Sequence, residues 1–426
     1  MADIDVVKLV NDNFEQMVKW RRHFHERPEL SEHEFETMNY IEGVLDGFGI
    51  SWKEIPDAGI LAIIDSGKPG KTVLLRADMD ALPIQESPTN LSKERIVISQ
   101  NDGAMHACGH DGHMAMQLGA AKILSELAKE GAFKGKVVLM FERGEELTGN
   151  IRFFLPYLVE KSGLDKEIDA IYATHVRWDV PAGKMCILDG PAMAGGFGFE
   201  VVIHGKGGHA SRPDMARNPL DAFNSIYSEC QSMRMKYTDP ADVVTFAITC
   251  VKAGTKFNVV ADDLTFSGNA RTLNTKKAGI PLHAKFKEIV DHSCKMNECT
   301  YEFTRDRDPI YEVRNNHDCA EIGKAVVTKY LGKDALCEVQ PWMASETFAL
   351  MLQLYPGILA FTGIQDDDIG SGAPHHTAQF DLAEKGMKAG ATTAIGYALE
   401  ILNGHHDIHF QRDIGEPMEK FYKRNL

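Results

Sequence analysis

No apolar run in this sequence approaches the roughly 20 residues that a membrane-spanning helix needs. The longest are short, such as Val137-Val138-Leu139-Met140-Phe141. The opening MADIDVVKLVNDNFEQ lacks the basic start and apolar centre of a secretory signal. A cytoplasmic protein with no membrane partner is the expectation. Positive charge is also scarce: Lys+Arg 46 against Asp+Glu 61 leaves a net charge of −15. Such a surface repels a phosphate backbone and argues against nucleic acid as a partner. The eight cysteines, at positions 108, 186, 230, 250, 294, 299, 319 and 337, contain no CxxC pair. In a chain this long they read as free thiols in a reducing compartment. Neither HExxH nor GxSxG occurs, so single-zinc proteases and serine hydrolases lack support.

What is present is an ordinary globular balance, 44% apolar and 25% charged over 426 residues. That length suggests two domains, or one α/β domain with an insertion. Apolar residues recur at helical spacing from Val6 to about Trp20. Pro28 stops that helix, and Ser31 with Glu34 three residues on reads as a capping box for the next. Short apolar runs at 59–64, 72–75, 136–141, 170–176 and 357–363 then alternate with helical stretches such as 114–127. This predicts an α/β class with a mostly parallel sheet covered on both faces. From about 191 to 306 the pattern changes to alternating strands, as in FEVVIHG and VVTFAITC, with two helices. A smaller α+β domain inserted at 191–306 is predicted, splitting the α/β domain into 1–190 and 307–426.

In an open α/β sheet, functional groups gather beyond the carboxyl ends of strands. Four predicted strands end there in metal-type ligands. LLRADMD ends in Asp78 and Asp80, and VVLMFERGEE in Glu142, Glu145 and Glu146. IYATHV supplies His175, and the loop after the last strand carries His375 and His376. MHACGHDGH adds His106, Cys108, His110 and His113 at the opening of a helix. Cys, His and carboxylate together suit zinc or a similar divalent ion. The supply exceeds one tetrahedral site and favours two ions sharing a ligand. Of the adjacent Glu145 and Glu146, one on metal and the other as general base is the natural division for amide hydrolysis.

These segments resemble a known family. RRHFHERPELSEHEFET (21–37), LLRADMDALPIQE (74–86), HACGHDGHMAMQLGAA (106–121), HGKGGHASRP (204–213) and PHHTAQFDLAEKGMKAG (374–390) are similar to the metal-dependent aminoacylases, hippurate hydrolases and indole-3-acetyl-amino acid hydrolases. More distantly the chain resembles carboxypeptidase G and dipeptidases. The resemblance implies that Cys108 bridges two divalent ions, zinc or manganese with cobalt also suitable. It implies His110, Glu146, His175 and His376 as the other ligands. Glu145 would be the general base, and Asp80 would orient the ligands. It further implies that His209 polarises the scissile carbonyl, often from a partner subunit. Asn258 and Arg271 fall at substrate positions of a lid that also builds a homodimer or tetramer. The implied substrate is an N-acyl amino acid or short peptide, cleaved to a carboxylic acid and a free amino acid. A dipeptidase or carboxypeptidase on the same metal site, and a silent metal-binding scaffold, are the alternatives.

The chain departs from the family pattern at Glu142-Arg143-Gly144, at Ser345-Glu346-Thr347-Phe348, and at His375 beside His376. None of these removes an expected ligand. His23, His25 and His33 read as surface residues of the N-terminal helical region, and His405, His406 and His409 as decoration of a tail.

Overall fold

The computed structural model describes residues 4–147 and 149–424. The chain divides into two compact units. One holds the chain up to Ala192 with Arg314–Gln340 and Met351–Tyr422; the other holds Met193–Val313, Pro341–Leu350 and the residues from Lys423.

The first unit is built on strands β1 (Ser51–Ile55), β2 (Gly59–Asp65), β3 (Thr72–Asp78), β4 (Lys136–Glu142), β5 (Ile168–Pro181), β6 (Met185–Cys186) and β7 (Gly357–Gln365). Their order is β1-β2-β4-β3-β5-β7-β6. The central pairs β4/β3, β3/β5 and β5/β7 are parallel. The outer pairs β1/β2, β2/β4 and β7/β6 are antiparallel. The expected mostly parallel sheet is therefore a mixed one. The reason is local: β1 and β2 are joined by a short turn, and β6 follows β5 too closely for a crossover helix. The four parallel strands keep their carboxyl ends on one side, and that side carries the candidate residues.

Helices α1 (Val6–Glu26), α2 (Phe35–Phe48), α3 (His110–Lys129), α4 (His317–Leu331) and α5 (Gly386–Asn403) belong to this unit. Helix α1 starts where the Asp5 carboxylate accepts the Lys8 N–H at 2.9 Å. It buries Val6, Val10, Met17, Trp20 and Phe24 along one face. Helix α3 is buried over most of its length, which its Ala, Gly and Met content permits. A Cβ on Gly119 would stand 2.4 Å from Met17 Sδ, so this glycine lets α1 and α3 close on each other. Helix α3 begins at Gly109 with φ 87°, where a Cβ would also meet Val176 Cγ2 at 2.3 Å. That turn puts His110 at the first helical position.

The second unit pairs Val244–Ala253, Asp263–Thr272, Gly195–His204 and Thr300–Asp306, in that order, into an antiparallel sheet. Alternate residues of Gly195–His204 point to a core shared with the helices Pro219–Tyr237 and Ile280–Met296. Phe197, Phe199, Val201, Ile203, Phe266 and Phe286 form its centre.

Candidate metal centre

The parallel strands and helix α3 deliver one buried cluster. Asp78 ends β3, Glu142 ends β4, His175 lies within β5, and His110 opens α3. Potential ligand atoms converge in overlapping groups whose members lie within 4.8 Å of one another: Cys108–His110–His175, Cys108–Glu146–His376, His110–Glu145–Glu146 and Asp78–His110–His113. The first two groups share only Cys108. This is the arrangement two ions with one bridging ligand require. His376, and not His375, belongs to these groups. His375 packs its ring against Phe380 at 4.8 Å between centroids. His376 itself adopts φ 61°, unusual for a non-glycine residue, and its N–H is held by Ala107 O at 2.9 Å.

His110 and His175 each have Nδ1 committed and Nε2 turned to the cluster. His110 Nδ1 donates to Asp80 Oδ1 at 3.1 Å, which presents the Nε2 lone pair to the cluster. His175 Nδ1 donates to Val176 O at 2.7 Å, which presents Nε2 3.5 Å from Cys108 Sγ. His110 Nε2 is buried without a hydrogen-bond partner. Glu146 Oε1 lies 3.2 Å from His376 Nε2, yet the two are not aligned as a hydrogen bond. Burial raises the Cys108 thiol, and Glu146, Glu145 and Asp78 raise it further. A thiolate there needs a cation to offset those charges. Orphaned nitrogen, unaligned carboxylate and destabilised thiolate all fit a divalent-metal pair. The donor set mixes S, N and O.

Around the ligands stands a layer of buried charge. Asp80 holds His110 with one oxygen; the other accepts Ser31 Oγ at 2.6 Å and the Glu146 N–H at 2.9 Å. Arg76 donates to Asp78 at 2.6 Å and to Glu142 at 2.7 Å. His113 Nδ1 donates to Asp78 at 2.6 Å, while its Nε2 accepts the Val176 N–H at 2.9 Å. With both nitrogens engaged, His113 steadies the residue after His175. Burial disfavours a charged His110, but Asp78 and Asp80 outweigh it and raise its pKa to about 10.

Two expectations are corrected here. Ser31 and Glu34 do not form a capping box. Glu34 itself is the residue before α2 and makes no side-chain cap bond. Its carboxylate instead accepts Arg143 Nε at 3.0 Å and the Gly144 N–H at 2.7 Å, anchoring the turn that carries Glu145 and Glu146. His25 is not a surface residue: it is 1% exposed and bridges Glu86 and Asp111, each at 2.8 Å. Asp111 also receives Arg21 Nε at 2.8 Å, so this ion network clamps the first turn of α3 from below the ligands. Sequence reasoning passed over Arg76, Ser31 and Glu34 as site residues. Arg76 had a usable signal, a charge inside an otherwise apolar strand.

His209, Asn258 and Arg271 lie in the second unit. A two-residue ladder pairs His209 with Val259, and the Ala210 N–H donates to Asn258 O at 3.1 Å, so His209 and Asn258 are neighbours. His209 Nδ1 accepts the Ser211 N–H at 3.1 Å. Arg271 sits in the central ladder opposite Thr245 and Gly196. Burial lowers its pKa, and among the described residues no carboxylate opposes that effect.

Residues 74–400 match the model of peptidase family M20/M25/M40. An IAA-amino acid hydrolase, ILR1-like 2 of Arabidopsis thaliana, is 36% identical over 395 residues, covering 91% of this chain and 86% of its own. Thermostable carboxypeptidase 2 of Saccharolobus solfataricus is 30% identical over 409 residues, covering 94% of this chain and all of its own. Among solved structures, the Bacillus subtilis YXEP protein, described as a dinuclear metal binding peptidase of the M20 family, superposes with a TM-score of 0.75. It is 27% identical and covers 93% of this chain and all of its own.

Proposed function

From the premise that this chain belongs to peptidase family M20/M25/M40 and is a metal-dependent amide hydrolase, we propose that it cleaves N-acyl or N-aroyl amino acids to a carboxylic acid and a free amino acid. The observation that carries this reading is the pair of ligand triads sharing Cys108, with Glu145 beside them. Cys108, His110 and His175 would hold one divalent ion, zinc, manganese or cobalt, and Cys108, Glu146 and His376 the other. Bound there, the ions supply Lewis acidity to the scissile carbonyl and the attacking water. Glu145, only 6% exposed, takes the proton of that water and hands it to the leaving nitrogen. Asp80 keeps His110 in the tautomer that ligates.

A lid and dimerisation domain at about 191–306 would supply the substrate contacts; 1–190 and 307–426 would form the catalytic domain. His209 accepts a backbone N–H at Nδ1, so its neutral ring carries the proton on Nε2. It can then donate to the carbonyl oxygen as charge develops there. Arg271, largely desolvated and with no side-chain partner among the described residues, suits a substrate carboxylate held bidentately. Asn258, beside His209, would hydrogen-bond the substrate amide. The carboxypeptidase reading is favoured by the full-length similarity to the Saccharolobus enzyme.

The test is amine release, by mass spectrometry, from a pool of N-acetyl, N-benzoyl, long-chain N-acyl and indole-acetyl amino acids mixed with free-amine dipeptides. The enzyme is loaded with Zn²⁺ or Mn²⁺, and Glu145→Gln serves as blank. Release from blocked substrates is expected. Release from dipeptides alone would transfer the assignment to a peptidase. No release from a metal-loaded protein would support a silent scaffold.

A further inference from the structure

Away from the metal centre, the edge of the first unit's sheet brings two cysteines together. Cys186 ends β6 and is fully buried, with Phe361 of β7 as its partner on one side. On the other side of β6 the segment around Leu336 runs alongside. Met185 and Leu336 form a parallel bridge, and the Cys337 N–H donates to Met185 O at 2.9 Å. The next residue on each strand, Cys186 and Cys337, therefore stand side by side on the same face. Adjacent positions on paired strands have Cα atoms about 5 Å apart, inside the span a disulfide bridges without moving the backbone.

The pair is asymmetric in the way thiol exchange requires. Cys337 is partly exposed, whereas Cys186 is covered. Contact with the Cys186 side chain draws the Cys337 thiol down against the effect of burial, and Lys184 and Arg177 assist. Cys186 is pushed up by the same contact and by burial. Cys337 is thus the accessible nucleophile and Cys186 the covered thiol behind it. The other neighbouring cysteines, Cys294 and Cys299, differ. Burial pushes both up, Cys294 to about 12, so neither presents a thiolate.

We propose that Cys186 and Cys337 are a redox-responsive thiol pair that closes reversibly into a disulfide by exchange with a low-molecular-weight disulfide. The Cys337 thiolate attacks one sulfur of the small disulfide, forming a mixed disulfide and releasing one thiolate. Cys186 then attacks the Cys337 sulfur, giving up its proton and displacing the second thiolate. The two protein thiols lose two electrons and two protons, and the small disulfide gains both as two thiols. Closure fastens the segment 336–340 to β6. Arg177, two residues beyond His175 on β5, already grips that segment by donating to Gln340 O at 3.0 Å.

The experiment equilibrates the metal-loaded full chain with glutathione disulfide, quenches in acid, alkylates, and maps peptides without reduction. A Cys186–Cys337 cross-linked peptide is expected, lost on treatment with dithiothreitol. Cys186→Ser is expected to trap glutathione on Cys337, and Cys337→Ser to leave Cys186 alkylated as a free thiol. Exposed Cys250 reports that oxidant was available, and Cys294 and Cys299 are expected to remain free. Two results overturn the proposal. One is Cys186 and Cys337 both recovered as free thiols in samples where Cys250 carries glutathione. The other is wild-type Cys337 holding glutathione without passing it on to Cys186.

Discussion

The two units treat their candidate residues in opposite ways. In the first, nearly every group near the ligands is buried and held by another charge. Asp80 alone satisfies His110, Ser31 and the Glu146 N–H. In the second, His209 is exposed on a two-residue strand, and Arg271 has no side-chain partner among the described residues. The contrast separates two tasks. On the proposed function, groups that would hold metal before substrate arrives are fixed by mutual constraint, at the cost of burying charge. Groups that would address substrate keep a donor in reserve, as Arg271 does. On this view, damage in the first unit changes turnover and metal affinity, whereas loss of Arg271 in the second changes KM.

The most severe way to sharpen that contrast is Glu145→Gln. It preserves size and removes the base, so kcat is expected to fall about 100- to 10,000-fold. Metal content by mass spectrometry should stay at the wild-type level. Full turnover by this variant would remove Glu145 from the chemistry. Next in size is Asp80→Asn, which loses the charge that aligns His110. Metal affinity is expected to drop about 10- to 100-fold, read by competition with a chelating dye. Unchanged affinity would mean the buried carboxylate is structural.

Arg271→Met tests the other half. Losing a charged hydrogen-bonding partner for a substrate carboxylate costs about 1.5–3 kcal/mol, which raises KM roughly 10- to 100-fold. Its kcat and metal affinity should hold steady. An amide substrate whose carboxylate is replaced by a neutral group should show no difference between Arg271→Met and wild type. A metal defect in this variant would erase the division between the units.

Much of the first unit was legible because its signals are local. Apolar runs bounded by glycine mark β2, β3, β4 and β7, and ligand-type residues sit where those strands end. The sheet's mixed character was not legible, since strand order depends on pairing between distant segments. The layer behind the ligands was hidden for a related reason. Arg76, Asp78 and Glu142 meet only because β3 and β4 pair in parallel register, Asp78 opposite Glu142. His25 looked like part of a charged helix surface, and only the approach of Glu86 and Asp111 makes it a buried ion bridge. For His209 and Arg271 the sequence offered little beyond the family resemblance.

Ser31 is where local and long-range readings conflict, and it gives the smallest but most discriminating effect. A capping serine before α2 would have its replacement by alanine weaken the helix by about 1 kcal/mol and leave the metals untouched. The structure instead points its hydroxyl at Asp80 Oδ2, 2.6 Å away. Without it, that oxygen keeps only the Glu146 N–H. Asp80 is then free to reorient, and His110 with it. Ser31→Ala is therefore expected to weaken metal binding about 3- to 10-fold, equivalent to one hydrogen bond of about 0.7–1.4 kcal/mol. Ser31→Thr, which retains the hydroxyl, should recover most of it. A fall in thermal midpoint with unchanged metal affinity would return Ser31 to the helix cap. It would also loosen the claim that the first unit's constraint reaches beyond the ligands themselves.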